Sequence, residues 1–270
     1  MLTAMFIIAI LIEIGLPFFL AILLTRRFGT SWKLVGIGAL IFIGSQVVHI
    51  PLLKLLTYLF TSGTLPTPSA QYIPLFNAVL LGLMAGLCEE TARWVGFKLL
   101  KQRGNSLEAA LTLGVGHGGV ESLFIGLVVL YNFVLMALLR TGAVDINVFP
   151  AETGTALLAQ ARSFWEIAWH LPLAGGVERI STMVLHVVLT VLVWRTIATR
   201  SWVFYGLAVA LHTIVDGMAV LMTSYSYTTW SIEGVLLIIM AVNLGLLYYF
   251  YRRHASRLAQ AQPEALPPAA

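Results

Sequence analysis

Seven apolar stretches, near 3–24, 34–57, 74–99, 107–138, 173–196, 202–223 and 231–251, dominate this chain and leave it few ways to fold. A run of about 20 apolar residues is long enough to cross the hydrocarbon core of a bilayer as a helix. Inside lipid the backbone must satisfy its own N–H and C=O groups, which a single helix does without help from water. The expected fold is therefore all-α: a polytopic membrane helical bundle of about seven transmembrane helices, one domain over 1–251, with the lipid bilayer as its solvent. Composition supports this, because 59% hydrophobic and 10% charged residues cannot clothe a soluble enzyme of 270 residues in polar surface. Residues 252–270, with Pro263, Pro267 and Pro268, read as a cytoplasmic disordered tail. The single cysteine, Cys88, excludes an internal disulfide and a Cys-rich zinc module. No basic segment or clear cleavage site marks the start, so the first stretch reads as a retained helix.

The basic residues give a direction. If the spans alternate, Arg26, Arg27, Lys33, Lys98, Lys101, Arg103, Arg195, Arg200, Arg252, Arg253 and Arg257 share one side, and only Lys54, Arg140 and Arg162 face the other. The positive-inside rule then places the N-terminus outside and the C-terminus in the cytoplasm, as in a multi-pass protein of a bacterial plasma membrane. The net charge of +4 is explained by this asymmetry, and nucleic acid is set aside as a partner. Between the fourth and fifth spans, 157–169 suits an interfacial helix with Trp165 and Trp169 at headgroup depth. The fourth stretch is too long for one upright span, so it tilts or breaks at Gly116-His117-Gly118-Gly119.

Ionisable groups within a span cost about 3 kcal/mol each on insertion scales, so they pair, face water or serve a function. Glu89, Glu90 and Arg93 lie in the third span, His117 and Glu121 in the fourth, Glu178, Arg179 and His186 in the fifth, and His212 and Asp216 in the sixth. Counted at about 1.5 Å per residue from the basic helix ends, Glu89, Glu90, His117, His186 and His212 share a plane about 15 Å deep. Scattered packing histidines have no reason to share a depth. Residues three or four apart also share a helical face, so each span presents one polar stripe.

Each element has a blander reading. Arg93 neutralises one of its two acids as a structural ion pair, while the second faces another direction. Glu178-Arg179, more than two turns from His186, reads as a structural pair. Glu13 and His49 read as packing or pore-rim groups, Gly82-x-x-x-Gly86 as helix packing, and Cys88 as a small buried residue. The glycines at 114, 116, 118 and 119 leave room for a strand or water path beside His117, or serve close helix packing.

Three imidazoles with carboxylates suit a divalent metal, zinc above all, with an open position for water. Such a centre hydrolyses peptide bonds when a glutamate moves the proton. The same groups also support a metal-free route, with Glu89 activating water and His212 and Asp216 steadying the oxyanion. Spacing leaves both routes open.

Glu89-Glu90-x-x-Arg93, a histidine motif and His212-x-x-x-Asp216 resemble the three-motif pattern of the CAAX protease and bacteriocin-processing superfamily of intramembrane proteases. Gly-His-Gly-Gly-x-Glu at 116–121, Glu178-Arg179 followed by His186, and His212-x-x-x-Asp216 resemble more closely the YhfC family of intramembrane metalloproteases. The likeness spans about residues 80 to 220 and departs from the superfamily in placing Arg93 one residue early. It implies a membrane peptidase with Glu89 as water activator and His117 and His212 as catalytic or metal-binding histidines. Asp216 fills the position held by Asn or Asp in relatives; Glu90, Arg93 and Glu121 would complete the catalytic set, and His186 would be a further metal ligand on the strength of its depth and facing. The substrate would be a membrane-associated peptide or protein reached from the cytoplasmic half of the bilayer. The alternative is a proton-coupled transporter or channel using the same Glu, His and Arg network. No internal repeat of the transporter kind is visible.

Overall fold

The computed structural model describes residues 1–261, which form eight α-helices and three short 3-10 turns. They are α1 (Leu2–Phe28), α2 (Trp32–Thr61), α3 (Ile73–Leu100), α4 (Leu107–Thr141), α5 (Ala151–Glu166), α6 (Leu171–Thr199), α7 (Val203–Ser224) and α8 (Thr229–Ala261). Seven of them, all but α5, are long and apolar enough to cross a membrane, and the chain is a multi-pass membrane protein. Local chemistry sets the boundaries. Ser31 Oγ accepts the Lys33 N–H at 3.1 Å at the head of α2, and Ser106 Oγ accepts that of Ala109 at 3.1 Å at the head of α4. Gly29 and Gly142 close α1 and α4 at φ +64° and +71°, a conformation that costs glycine nothing.

The central element is α6. In its most apolar window 72% of residues are buried, against 17–28% in the other spans, which turn Leu11, Phe19, Val47, Val128, Ile238 and Val242 outward. Outward apolar side chains are what a lipid solvent asks for. Around α6 stand α1, α3, α4, α7 and α8. Small residues let these helices approach closely. A Cβ on Gly116 would lie 2.1 Å from the Val35 carbonyl oxygen of α2, and one on Gly118 would lie 2.9 Å from His186 Cβ of α6. On α3, a Cβ on Gly82 would sit 2.4 Å from the Thr213 carbonyl oxygen of α7, so the Gly82-x-x-x-Gly86 spacing is indeed a packing face.

Of the two expectations for this long stretch, a tilt or a break, the break at Gly116–Gly119 does not occur. The glycines of α4 are consumed by close packing against α2 and α6, and the helix runs unbroken for 35 residues. That is about 52 Å, well beyond an upright span. The surplus carries Met136 and Leu139 onto Ala161 of α5. There the Trp165 indole N–H donates to the Met136 carbonyl at 3.1 Å, so this tryptophan is half-buried on α4, and Trp169 lies beyond the helix and exposed. At the other end α8 continues ten residues past 251, into the segment expected to be tail; good helix formers such as Arg, Ala and Leu carry it on, and His254 Nε2 reaches Glu108 Oε1 at 3.6 Å. The rest of that expected tail, 262–270, lies outside the described residues.

Candidate metal centre

Below the middle of the bundle, Phe97, Leu107, Leu113, Leu189, Trp194 and Phe250 form part of an apolar cluster toward the end where α3 meets α4 and α6 meets α7. Above it α3, α4, α6 and α7 bring their polar side chains together. Glu89 is 6% exposed, Glu90 0%, Arg93 1%, His117 1%, His186 4% and His212 2%. Groups this deeply buried persist only when paired or bound.

Arg93 organises the centre. It stands three residues from Glu90 and four from Glu89, so both acids lie on its face of α3, and its planar fork reaches both. One nitrogen, Nη1, pairs with Glu90 Oε1, while Nη2 lies 3.5 Å from Glu89 Oε2 and donates to His186 Nδ1 at 2.7 Å. This corrects the expectation that the second acid escapes the arginine. His186 turns Nδ1 toward Arg93 and Nε2 toward Glu121 Oε2 at 2.5 Å, so a metal ion held by His186 would replace one of these two contacts. The other Glu121 oxygen accepts from Arg179 Nη1 at 2.9 Å, so Arg179, paired also with Glu178, is tied to the centre rather than standing apart.

The imidazoles pack ring to ring. His117 and His186 centroids are 5.3 Å apart, and those of His186 and His212 are 5.7 Å apart. His117 Nε2 meets Glu89 Oε2 at 3.0 Å. His212 Nδ1 meets Glu90 Oε1 at 2.7 Å, and its Nε2 lies 3.4 Å from Asp216 Oδ2 and 4.0 Å from Glu89 Oε2. All eight residues expected at the site thus converge, six in the interior and Glu121 and Asp216 at a more open rim.

One ligand atom each from Glu89, His117 and His186 lies within 4.8 Å of the other two. Two neutral imidazoles and a carboxylate are donors that a divalent ion accepts readily. His117 Nδ1 is buried without a hydrogen-bond partner, and so is Glu90 Oε2, which lies outside this group of three. His212 flanks this group of three. A cavity of about 290 Å³ borders the centre, lined by Glu89, Glu121, Glu178, His186, His212 and Asp216. Its wall also includes Ala219 and Val220 of α7, and Leu185, Val215 and Leu236, which belong to the apolar cluster.

Two contributors escaped the sequence reading. Gln46 of α2 donates through Nε2 to Glu89 Oε1 at 3.2 Å, and Arg179 braces Glu121. A lone amide inside an apolar stretch was the available signal for Gln46. Nothing in the sequence paired Arg179 with Glu121 across 58 positions.

A multi-pass helical bundle with a buried His–carboxylate centre of metal-binding composition defines the class of protein. The chain belongs to the YhfC intramembrane metalloprotease family, whose model matches residues 8–237. It is 28% identical over 212 residues, 76% of this chain and 79% of the relative, to a protein of Bacillus subtilis (strain 168) described as uncharacterized membrane protein YhfC. No solved structure matches it.

Proposed function

We propose that this chain is an intramembrane metallopeptidase that hydrolyses a peptide bond of a membrane-associated substrate, with a divalent ion, zinc by preference, held by Glu89, His117 and His186. The observation that carries the reading is the convergence of those three ligand atoms within 4.8 Å, from three helices, beside a cavity inside the bundle. The family description points the same way. When bound, the ion supplies Lewis acidity and lowers the pKa of a water molecule.

The chain's own residues do the rest. Glu89 stands in the ligand group, so the role of water activator passes to Glu121, which lines the cavity and is steered by Arg179 through Oε1. His212, held between Glu90 and Asp216, is placed to give a proton to the departing amine. Glu90 and Arg93 hold the histidines in place and touch no substrate. Kinship with the CAAX protease and bacteriocin-processing superfamily, a cytoplasmic C-terminus and a peptide substrate belong to the same proposal.

Elemental analysis of detergent-purified protein tests it. About one zinc per chain, lost in His186→Ala and retained in Glu121→Gln, is the expected result. A metal-free protein that retains peptidase activity would overturn the metal assignment, and one without either property would favour the transporter reading.

A further inference from the structure

A second recess, of about 870 Å³, lies between α2 and α3, where Leu40, Val48 and Leu99 of its wall turn outward to the lipid. The two helices run antiparallel along it, because Ile41 meets Gly96 and Gln46, further along α2, meets the earlier residue Glu89. The wall extends from Ile37 to Leu52 on α2 and from Leu100 to Met84 on α3, which makes a groove about 22 Å long. It offers nothing to a ligand that must form hydrogen bonds. Ser45 Oγ donates to the Phe42 carbonyl at 2.6 Å, Thr91 Oγ1 is paired with Tyr205 Oη at 2.8 Å, and the remaining polar group, the Cys88 thiol, is a weak donor. An extended peptide in the groove would leave its own N–H and C=O groups unpaired. A spanning helix satisfies its backbone, but at about 10 Å across and 30 Å long it fills roughly 2,400 Å³, far more than the recess holds. A single hydrocarbon chain meets both limits.

One end of the groove is cationic. Lys33 stands one turn before Ile37 on the same face of α2, Lys101 follows Leu100, and both are exposed. There is no acid in α2 and none between Lys98 and Leu107, while the next one, Glu108, faces His254 at 3.6 Å. We infer that this groove binds one acyl chain of an anionic phospholipid, with the phosphate held by Lys33 and Lys101. The inference depends on neither the metal nor the peptidase reading. Lysine stems lie along apolar surface while their ammonium groups reach headgroup level, and each such cation adds attraction for an anionic lipid. Glycine shapes the groove: a Cβ on Gly96 would strike Ile41 Cδ1 at 2.3 Å and marks where the helices touch, whereas one on Gly44 meets no atom within 4 Å. The wall also backs onto the polar centre, since Ser45 and Cys88 adjoin Gln46 and Glu89, which are hydrogen-bonded at 3.2 Å.

The test reconstitutes the full chain in phosphatidylcholine vesicles doped with phosphatidylglycerol that carries a photoactivatable diazirine midway along one acyl chain, and maps the crosslinked residues by peptide mass spectrometry. Adducts are expected to concentrate on α2 and α3 around Gly44, Val48, Leu87 and Val95, well above those on Ile238 and Val242 of the outward face of α8. Gly44→Leu, whose added side chain enters open space, is expected to bring the groove adducts down to the α8 density and leave the α8 adducts unchanged. Val48→Phe, which narrows the groove from an exposed position, is expected to act in the same way. Diazirine-labelled phosphatidylcholine is expected to label the groove about 10-fold less than phosphatidylglycerol, and Lys33→Gln combined with Lys101→Gln to abolish that preference. Equal adduct density on the groove and α8, groove adducts that survive both filling variants, or equal labelling by the two lipids would overturn the assignment. So would crosslinks joining two copies of the chain through the groove, or displacement of the label by an apolar transmembrane peptide and not by unlabelled phosphatidylglycerol.

Discussion

Arg93 is the residue on which the buried charges depend. It is 1% exposed and pairs with Glu90, which is wholly buried, so removing it strands a carboxylate in a medium that cannot solvate it. Arg93→Leu is expected to destabilise the protein by about 3–5 kcal/mol, measured by denaturant titration in detergent, whereas Glu90→Gln keeps an acceptor and costs less. The acids should separate by role. Glu89→Gln is expected to lower zinc affinity by about 10-fold or more in a chelator competition, since a ligand is lost. Glu121→Gln is expected to keep the metal and lose cleavage of a reconstituted apolar peptide by about 100-fold or more. Equal zinc affinities in the two variants would break this division of labour.

At the scale of elements, helix proximity is set by backbone contact at glycine. Gly116→Ala forces a methyl group into the Val35 carbonyl, and neither partner is a flexible side-chain end that can swing away. The expected cost is about 1–3 kcal/mol in thermal or denaturant unfolding. Gly15→Ala is the control, because the methyl group it adds meets no atom within 4 Å and alanine favours the helix by about 1 kcal/mol. Similar losses at both positions would mean that close packing of α4 on α2 does not govern stability. The same packing keeps α4 continuous where a glycine-rich sequence invited a break.

For the whole molecule, the depth of the centre and the direction of its cavity decide how substrate and solvent arrive. In a Cys88→Ser background, Ala219→Cys is expected to react with a membrane-impermeant thiol reagent from the side on which α7 ends, and Leu113→Cys, within the apolar cluster, from neither side. Labelling of Leu113→Cys from the basic side would instead support the route expected from sequence. The proposed metal should also bind the fold together, because the residues that would hold it come from α3, α4 and α6. Dialysis against a chelator is expected to lower the unfolding temperature, and added zinc to restore it, in line with preferential binding to the native state.

The amino-acid sequence determined by itself the membrane-spanning helices and their number, because apolar length and backbone self-satisfaction in lipid are local properties. It also determined which polar residues meet, since Glu89, His117, His186 and His212 sit at matched distances from helix ends and helical rise converts counting into depth. What only the tertiary structure decided is which atoms face which. Helix rotation and crossing depend on where Gly82, Gly116 and Gly118 let backbones touch, and that is a property of pairs of helices. So the grouping of Glu89 with His117 and His186, the reach of Arg93 to both acids and the entry of Gln46 from α2 could not be read from spacing along one chain.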